Sequence, residues 1–229
     1  MVAPGRRFAA GYNILRYDTR GHGASSAPDG AYSLDQLGDD LLQLLAAVGI
    51  ARCHFVGLSM GGMIGQAAVL RDPRPFQSLV LADTSSRIAP ELHPVWESRI
   101  AAVSTPAGMA AVAPATLERW FTAAFRAREP EAVARIDRLI RATRVAGYIG
   151  CSRAIMKLDL TDRLKQVNCP VLVIVGDQDA GTPPTMAEAI AGAIPGASLA
   201  VIPQAAHLSN IEQADRFNTL MQRFLSSLS

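Results

Sequence analysis

The sequence predicts an α/β fold in which helices flank a mostly parallel sheet. Short apolar runs of strand length alternate with amphipathic helical segments, a pattern typical of βαβ units. The runs at 77–82 (QSLVLA) and 171–175 (VLVIV) are almost continuously hydrophobic, as strands are when both faces of their sheet are covered. A strand-poor stretch divides the alternating pattern in two and predicts a helical insertion.

The first part of the chain contains three predicted strands and two predicted helices. The run YNILRYD predicts a strand at 12–18 that leads into a Gly-rich loop. Ser33 and Gln36 form a capping box, and leucines at helical spacing predict a helix that ends at Gly49. A strand at 53–58, a helix at about 60–71 and the strand at 77–82 follow.

The helical insertion and the second part of the pattern complete the predicted fold. Residues 87–160 are rich in helical segments and poor in strands, and we interpret them as a cap between core segments 1–86 and 161–229. After the strand at 171–175, the pattern predicts a helix at 185–191, a strand at 197–202 and a closing helix at 213–228.

Composition bounds the class of protein. The 229 residues are 49% hydrophobic and 18% charged, which predicts one compact domain with one insertion. A formal net charge of +2 without a run of Lys or Arg argues against nucleic-acid and membrane partners. No signal peptide or membrane-spanning segment is predicted, so we expect a cytoplasmic protein. Cys53, Cys151 and Cys169 lack metal-ligand spacing and are predicted to be reduced thiols.

A candidate nucleophile lies between a predicted strand and a predicted helix. Residues 57–61 read GLSMG and match G-x-S-x-G, the pattern of a tight turn that exposes a serine above the end of a sheet. Gly57 and Gly61 supply the small residues that such a turn needs. The alternative of a phosphate-binding loop is weaker, because G-x-x-x-x-G-K-[ST] does not occur in the sequence. Ser59 is therefore the predicted nucleophile.

A serine nucleophile needs a neighbouring base, and the chain contains four histidines. His54 begins a strand, His93 lies at the start of the cap, and His22 lies in a loop after a strand, where it could approach the site or stabilise a turn. His207 lies in the loop after the last predicted strand, where the chain order Ser, acid, His places the base.

The acid that orients the base is expected after the strand at 171–175. Asp177 and Asp179 both follow this strand, and Asp179 is the preferred candidate, with Asp177 as the alternative. Three residues at the ends of three different strands, in this order, predict a serine hydrolase. A metal site is not expected, because no pair of potential ligands has the required spacing on one helix.

Five segments carry a resemblance to a known family. The chain resembles α/β-hydrolases of the 3-oxoadipate enol-lactonase group, which act in bacterial aromatic catabolism. The segments are ILRYDTRGHGAS (14–25), FVGLSMGGMIGQ (55–66), LVLADTSSRI (79–88), LERWFT (117–122) and AAHLSNIEQADRFN (205–218). The cap segment LERWFT and HLSNIEQ distinguish the lactonases from other hydrolases.

The resemblance implies a hydrolase without metal or organic cofactor that acts on a small carboxylated enol-lactone. Ser59, Asp179 and His207 match the catalytic triad of the family, and the N–H of Met60 would be one oxyanion-hole donor. Trp120 matches an aromatic residue of the cap that would close over the substrate, although it could equally belong to the cap core. Cationic partners for the substrate carboxylate would come from three candidates, Arg119, Arg153 and Lys157.

The resemblance also leaves a segment of the family without a counterpart. Family members begin with strands and a His-Gly loop, to which nothing in residues 1–11 corresponds. One of these strands lies between those at 12–18 and 53–58, so we expect a central gap or a new pairing in the sheet. The alternatives are another hydrolase on this scaffold (a carboxylesterase, perhydrolase or carbon–carbon hydrolase) or a shortened, inactive chain. The sequence does not predict an oligomeric state.

Overall fold

A four-stranded parallel sheet forms the centre of the protein. The computed structural model describes residue 8 and residues 10–228, and within them the strands lie side by side in chain order. They are β1 (Cys53–Leu58), β2 (Phe76–Ala82), β3 (Val171–Gly176) and β4 (Ser198–Ile202). All three neighbouring pairs are parallel, which confirms the predicted α/β fold.

Helices cover the sheet and form the stretch between β2 and β3. They are α1 (Leu34–Ala47), α2 (Met60–Arg71), α3 (His93–Val103), α4 (Ala113–Trp120), α5 (Ala123–Arg128), α6 (Pro130–Ala142), α7 (Val145–Met156), α8 (Pro184–Ala193), α9 (Ser209–Glu212) and α10 (Ala214–Ser226). Short 3-10 helices occupy Pro90–Leu92, Gly108–Ala111 and Thr161–Gln166. None of the helices in the described residues is long and apolar enough to cross a membrane. The N-cap of α1 is the predicted Ser33, whose hydroxyl accepts the N–H of Gln36 at 3.1 Å.

Alternation along the strands divides the core between the two faces of the sheet. Leu79 and Leu81 of β2 pack on the face covered by α1, α2 and α8. Val80 and Ala82 pack on the other face, against side chains of α10. Because both faces are covered, β2 and β3 have no polar face, which explains their continuous hydrophobic runs.

The helices between β2 and β3 have a core of their own. The rings of Phe121 and Phe125 are stacked with centroids 5.1 Å apart, and both are fully buried. The entry and exit of this segment run beside each other, because the N–H of Leu160 donates to the carbonyl of Ser86 at 2.8 Å. The cap therefore joins the core through two adjacent chain segments.

The predicted strand at 12–18 is wrong. Residues 13–19 have no regular secondary structure, and Ile14 and Leu15 are more than 40% exposed. A strand exists only through hydrogen bonds to a neighbour, and among the described residues β1 pairs with β2 alone. The residues of YNILRYD favour a strand, but among the described residues no neighbouring strand is available to form hydrogen bonds with them. We expected residues 1–11 to contain no counterpart of the first strands and the His-Gly loop of the family. This segment lies largely outside the described residues.

Candidate active site

The carboxyl ends of the four strands bring the candidate site together. Ser59 follows β1, Asp83 follows β2, Asp179 lies three residues after β3, and His207 lies in the loop after β4. Because the strands are parallel, all four residues lie at the same edge of the sheet. Ligand sites of open α/β sheets lie outside this edge.

The turn from β1 into α2 holds Ser59 in a strained conformation. Its φ of 53° and ψ of −120° are unfavourable for a residue with a Cβ atom. A Cβ on Gly57 would collide with the backbone of Gly61, and one on Gly62 would come within 2.7 Å of the Thr84 side chain. A Cβ on Gly61 would meet no such neighbour, so Gly57 and Gly62, rather than Gly61, have to be glycine here.

Ser59, His207 and Asp179 form a continuous hydrogen-bonded chain. The Ser59 hydroxyl lies 2.8 Å from Nε2 of His207, and Nδ1 of His207 lies 2.8 Å from Oδ2 of Asp179. His207 and Asp179 are buried, whereas Ser59 is only half-buried and reaches the adjacent cavity. The chain thus runs from a buried carboxylate to a hydroxyl that a ligand can reach.

Asp179 is held as a carboxylate. Burial alone would raise its pKa, but hydrogen bonding and charge attraction from His207, with hydrogen bonds from Thr182, outweigh burial and lower the pKa. The Thr182 hydroxyl donates to Oδ2 at 2.6 Å, and the N–H groups of Gly181 and Thr182 donate to Oδ1 at 2.8 and 3.0 Å. These donors fix the carboxylate that faces the imidazole.

The alternative candidates for acid and base lie outside the hydrogen-bonded chain of Ser59, His207 and Asp179. Asp177 is exposed and accepts the backbone N–H of Ala205 at 3.3 Å. His54 contacts the Ser78 hydroxyl at 2.8 Å near the start of β1, away from Ser59 at its end. His93 is the first residue of α3. His22 lines the cavity beside Ser59, with Nδ1 4.0 Å from the sulfur of Cys151.

A cavity of about 770 Å³ opens between the sheet edge and the cap. Ser59, His207 and Met60 lie on its core side, and the cap contributes mainly apolar residues together with Arg99, Arg119 and Tyr148. Such a cavity suits a small, largely apolar ligand that carries a few polar groups.

Arg99 and Arg119 are the cationic groups of the cavity wall. Neither pairs with a carboxylate among the described residues, although Arg99 stacks over the Trp96 ring at 4.9 Å and Arg119 donates to the Thr116 hydroxyl at 3.1 Å. Burial, together with the charge of Arg99, lowers the pKa of Arg119. Two close, unpaired cations favour an anionic group in the cavity.

The other residues predicted to contact substrate lie in different places. Trp120 lines the cavity, and its ring centroid lies 6.1 Å from that of His207. Arg153 pairs with Glu97 at 3.6 Å, and Lys157 is exposed at the end of α7; neither belongs to the described lining of the cavity. Of the three predicted cations, the structure brings only Arg119 to the cavity.

Sequence reasoning missed Arg99, Thr182, Asp83 and Glu212. Asp83 directly follows the apolar strand β2, but Asp177 directly follows the apolar strand β3 and is exposed, so this position alone gives no signal. Glu212 lies six residues beyond Ala206, whose N–H it accepts at 2.8 Å, and only the folded loop brings them together. Arg99 and Thr182 had no sequence pattern either.

The arrangement can perform nucleophilic acyl transfer. A hydroxyl bonded to an imidazole, which a carboxylate holds in one tautomer, can lose its proton as it attacks a carbonyl. The Cys151 thiol in the cavity wall is a poor competitor, because burial raises its pKa to about 12. Among the described residues, no three His, Cys, Asp or Glu side chains are grouped to hold a metal ion.

The protein is similar to hydrolases of known sequence and structure. Over 217 residues it is 36% identical to 3-oxoadipate enol-lactonase 2 of Acinetobacter baylyi, covering 93% of this chain and 80% of the relative. Over 223 residues it is 30% identical to the putative carbamate hydrolase RutD of Agrobacterium fabrum, covering 93% of this chain and 83% of the relative.

A solved structure shows the same arrangement of the chain. The enol-lactonase of Burkholderia xenovorans superimposes with a TM-score of 0.92 at 40% identity, covering 98% of this chain and 85% of that one. Residues 4–214 match the family described as alpha/beta hydrolase fold. The parallel sheet, the serine turn and these likenesses agree, and the chain belongs to the α/β-hydrolase fold family.

Proposed function

We propose that this protein is a serine-dependent carboxylic ester hydrolase that opens a small carboxylated enol-lactone, 3-oxoadipate enol-lactone, to 3-oxoadipate. The observation that carries the proposal is the hydrogen-bonded chain of Ser59, His207 and Asp179 beside a cavity with two unpaired arginines. Similarity to two enol-lactonases of Acinetobacter baylyi, at 36% and 32% identity, supports the same substrate.

In the proposed reaction, Ser59 attacks the lactone carbonyl while Nε2 of His207 takes the hydroxyl proton. Collapse of the tetrahedral intermediate breaks the ring C–O bond, and the proton on His207 passes to the departing enol oxygen. His207 then takes a proton from water as the water attacks the acyl-enzyme, and it returns this proton to Oγ of Ser59 as the acyl C–O bond breaks. The released enol tautomerises to the 3-oxo acid. Asp179 orients the imidazole and stabilises its charged form in both steps.

The start of α2 supplies an oxyanion donor in this mechanism. Met60 is the first residue of α2 and lines the cavity, so its N–H is one of the helix donors without an intrahelical partner. A positive helix end beneath the serine also favours the negative oxygen of the tetrahedral intermediate. In this mechanism Met60 therefore acts through its backbone N–H.

The cap supplies the contacts that select a carboxylated substrate. Arg99 and Arg119 would neutralise the carboxylate, because a partly buried cation without an anionic partner gains from one in the ligand. Trp120 would close the cavity over the reacting carbonyl, since its ring lies beside that of His207. A neutral ester would use the apolar wall without these cationic contacts.

The proposal is tested by comparing enol-lactone hydrolysis with hydrolysis of a neutral aryl ester and of a carbamate. We expect the carboxylated lactone to have the highest kcat/KM and Ser59→Ala to lose activity on all three. A serine-directed phosphonate should label the wild type at Ser59. Faster turnover of the aryl ester or the carbamate would replace the lactonase by another hydrolase of the same fold. Unchanged activity of Ser59→Ala would refute the mechanism itself.

A further inference from the structure

Asp83 is a buried carboxylate between the loops that carry Asp179 and His207, and the mechanism above gives it no role. Its side chain is fully buried directly after β2. One carboxylate oxygen accepts the backbone N–H of Gly176, at the end of β3, at 2.9 Å. The other accepts the hydroxyl of Ser209, two residues beyond His207, at 2.5 Å. Asp83, at the end of β2, thus contacts the end of β3 and the start of α9, at the edge of the sheet that carries the proposed triad.

A carboxylate is a costly residue at this position. Burial raises the pKa of Asp83 to about 7, although Ser209, Gly176 and the charge of His207 oppose the shift. Its φ of 45° is unfavourable for most residues with a side chain, but Asp and Asn both adopt it more readily than most, so the backbone does not favour the one over the other. An asparagine could accept from Gly176 and donate to Ser209 without a charge. A costly charge beside reacting groups is typical of functional sites.

The charged groups that face Asp83 are those of the proposed triad. His207 attracts its carboxylate and Asp179 repels it. When His207 takes the proton of Ser59, the new imidazolium gains a second negative neighbour besides Asp179. Water screens this interaction little, because Asp83 is fully buried.

We propose that Asp83 is a positioning residue for the reaction, an inference that rests on the proposed function. Its two hydrogen bonds hold the His207 loop against the end of β3, which leads to Asp179. Its charge acts through His207 by stabilising the imidazolium that forms as Ser59 attacks. Asp83 does not itself touch substrate.

Three variants separate the charge from the hydrogen bonds. Asp83→Asn removes the charge and can keep both hydrogen bonds. Ser209→Ala removes one hydrogen bond and, because that bond lowers the pKa of Asp83, keeps the charge only at pH values above the further raised pKa. Asp162→Asn is the control for loss of a carboxylate, since Asp162 is 86% exposed and pairs with Arg87. For each variant we would measure kcat/KM against pH on the best ester substrate, and the unfolding transition.

The charge role predicts a changed pH profile for Asp83→Asn. Its plateau in kcat/KM should fall roughly tenfold, and its acid limb should move to lower pH by about one unit. At pH values where Asp83 is ionised in both proteins, Ser209→Ala should lower kcat roughly tenfold, because the His207 loop loses a hydrogen bond. Asp162→Asn should match the wild type. If the acid limb of Asp83→Asn stays at the wild-type pH, the charge role is overturned. If kcat is unchanged in Ser209→Ala, the positioning role is overturned.

The outcomes also separate this inference from the proposed function. If wild type hydrolyses no ester and takes up no phosphonate at Ser59, the proposed function fails. If wild type is active and both variants follow its profile, only the role of Asp83 fails. If Asp83→Asn does not fold, Ser209→Ala decides the positioning role, and the pH titration of the His207 ring in Ser209→Ala and wild type, followed by NMR, decides the charge role. A displacement of the His207 titration to lower pH is expected in Ser209→Ala, because a more protonated Asp83 stabilises the imidazolium less. Coincident titrations would overturn the charge role.

Discussion

Glu212 in the core accepts hydrogen bonds from Thr122 in the cap. The Thr122 hydroxyl donates to the carboxylate at 2.7 Å, and its backbone N–H lies 3.2 Å from the same group. The carboxylate also accepts the N–H of Ala206, the residue before His207, at 2.8 Å. A single buried side chain therefore connects the cap, two residues beyond Trp120, to the loop of the proposed base.

Removal of this connection should weaken both the fold and the activity. We expect Glu212→Ala to lower the free energy of unfolding by about 3 kcal/mol, because it leaves the buried N–H of Ala206 and the partly buried donors of Thr122 without this partner. It should also lower kcat on an ester substrate, since the His207 loop loses a support. Chemical denaturation and steady-state kinetics measure the two effects.

Glu97→Ala, which removes a half-exposed ion pair with Arg153, should change stability by less than about 1 kcal/mol. Equal effects of the two variants would contradict the special role of Glu212.

The unpaired arginines of the cavity should select for a carboxylated substrate. We expect Arg119→Gln, and separately Arg99→Gln, to raise KM for the enol-lactone by roughly ten- to a hundredfold, because each removes a charge-assisted contact. For a neutral aryl ester, KM should change little. The matched control is Arg153→Gln, whose side chain lies outside the described cavity wall. Equal losses on charged and neutral substrates would show that the arginines maintain the cap rather than bind a carboxylate.

The turn at Ser59 should be intolerant of a side chain at Gly57. We expect Gly57→Ala to destabilise the protein by about 3 kcal/mol, because its Cβ would collide with the backbone of Gly61 rather than with a movable side chain. Gly192→Ala is the matched control, since Gly192 lies in α8 with open space around a new Cβ. This control should gain about 0.5–1 kcal/mol through helix propensity and a less flexible unfolded chain. Thermal unfolding of both variants tests the pair, and a stable, active Gly57→Ala would contradict the geometry.

The sequence predicts those parts of the molecule that depend on local patterns. The strand Cys53–Leu58 and the helix Met60–Arg71 occur at their predicted bounds, because apolar runs and glycines act within a few residues. The strand at 12–18 does not form, since a strand also needs a neighbour that no local pattern reveals. In the sequence, Arg99 and Arg153 are each a basic residue in a helical segment, and no local pattern distinguishes them. Only the packing of the helices brings Arg99 to the cavity.

The cost of the Asp83 charge should appear as a pH-dependent difference in stability. The pKa of Asp83 is about 7 in the folded protein and near its ordinary 3.8 in the unfolded chain, so the folded state binds the proton more tightly. This preference stabilises the wild type fully at acidic pH, and the stabilisation is lost as the pH rises through about 7. Asparagine does not titrate, so its contribution to stability does not depend on pH.

The stability of Asp83→Asn relative to wild type should therefore increase between pH 5 and pH 8, by on the order of a few kcal/mol, while other titrating groups cancel in the difference. Urea denaturation at both pH values measures it, and a difference that does not change with pH would refute the buried charge. A gain in stability at pH 8, together with the expected loss of activity, would mean that the Asp83 charge destabilises the fold but stabilises the imidazolium of His207 during the reaction.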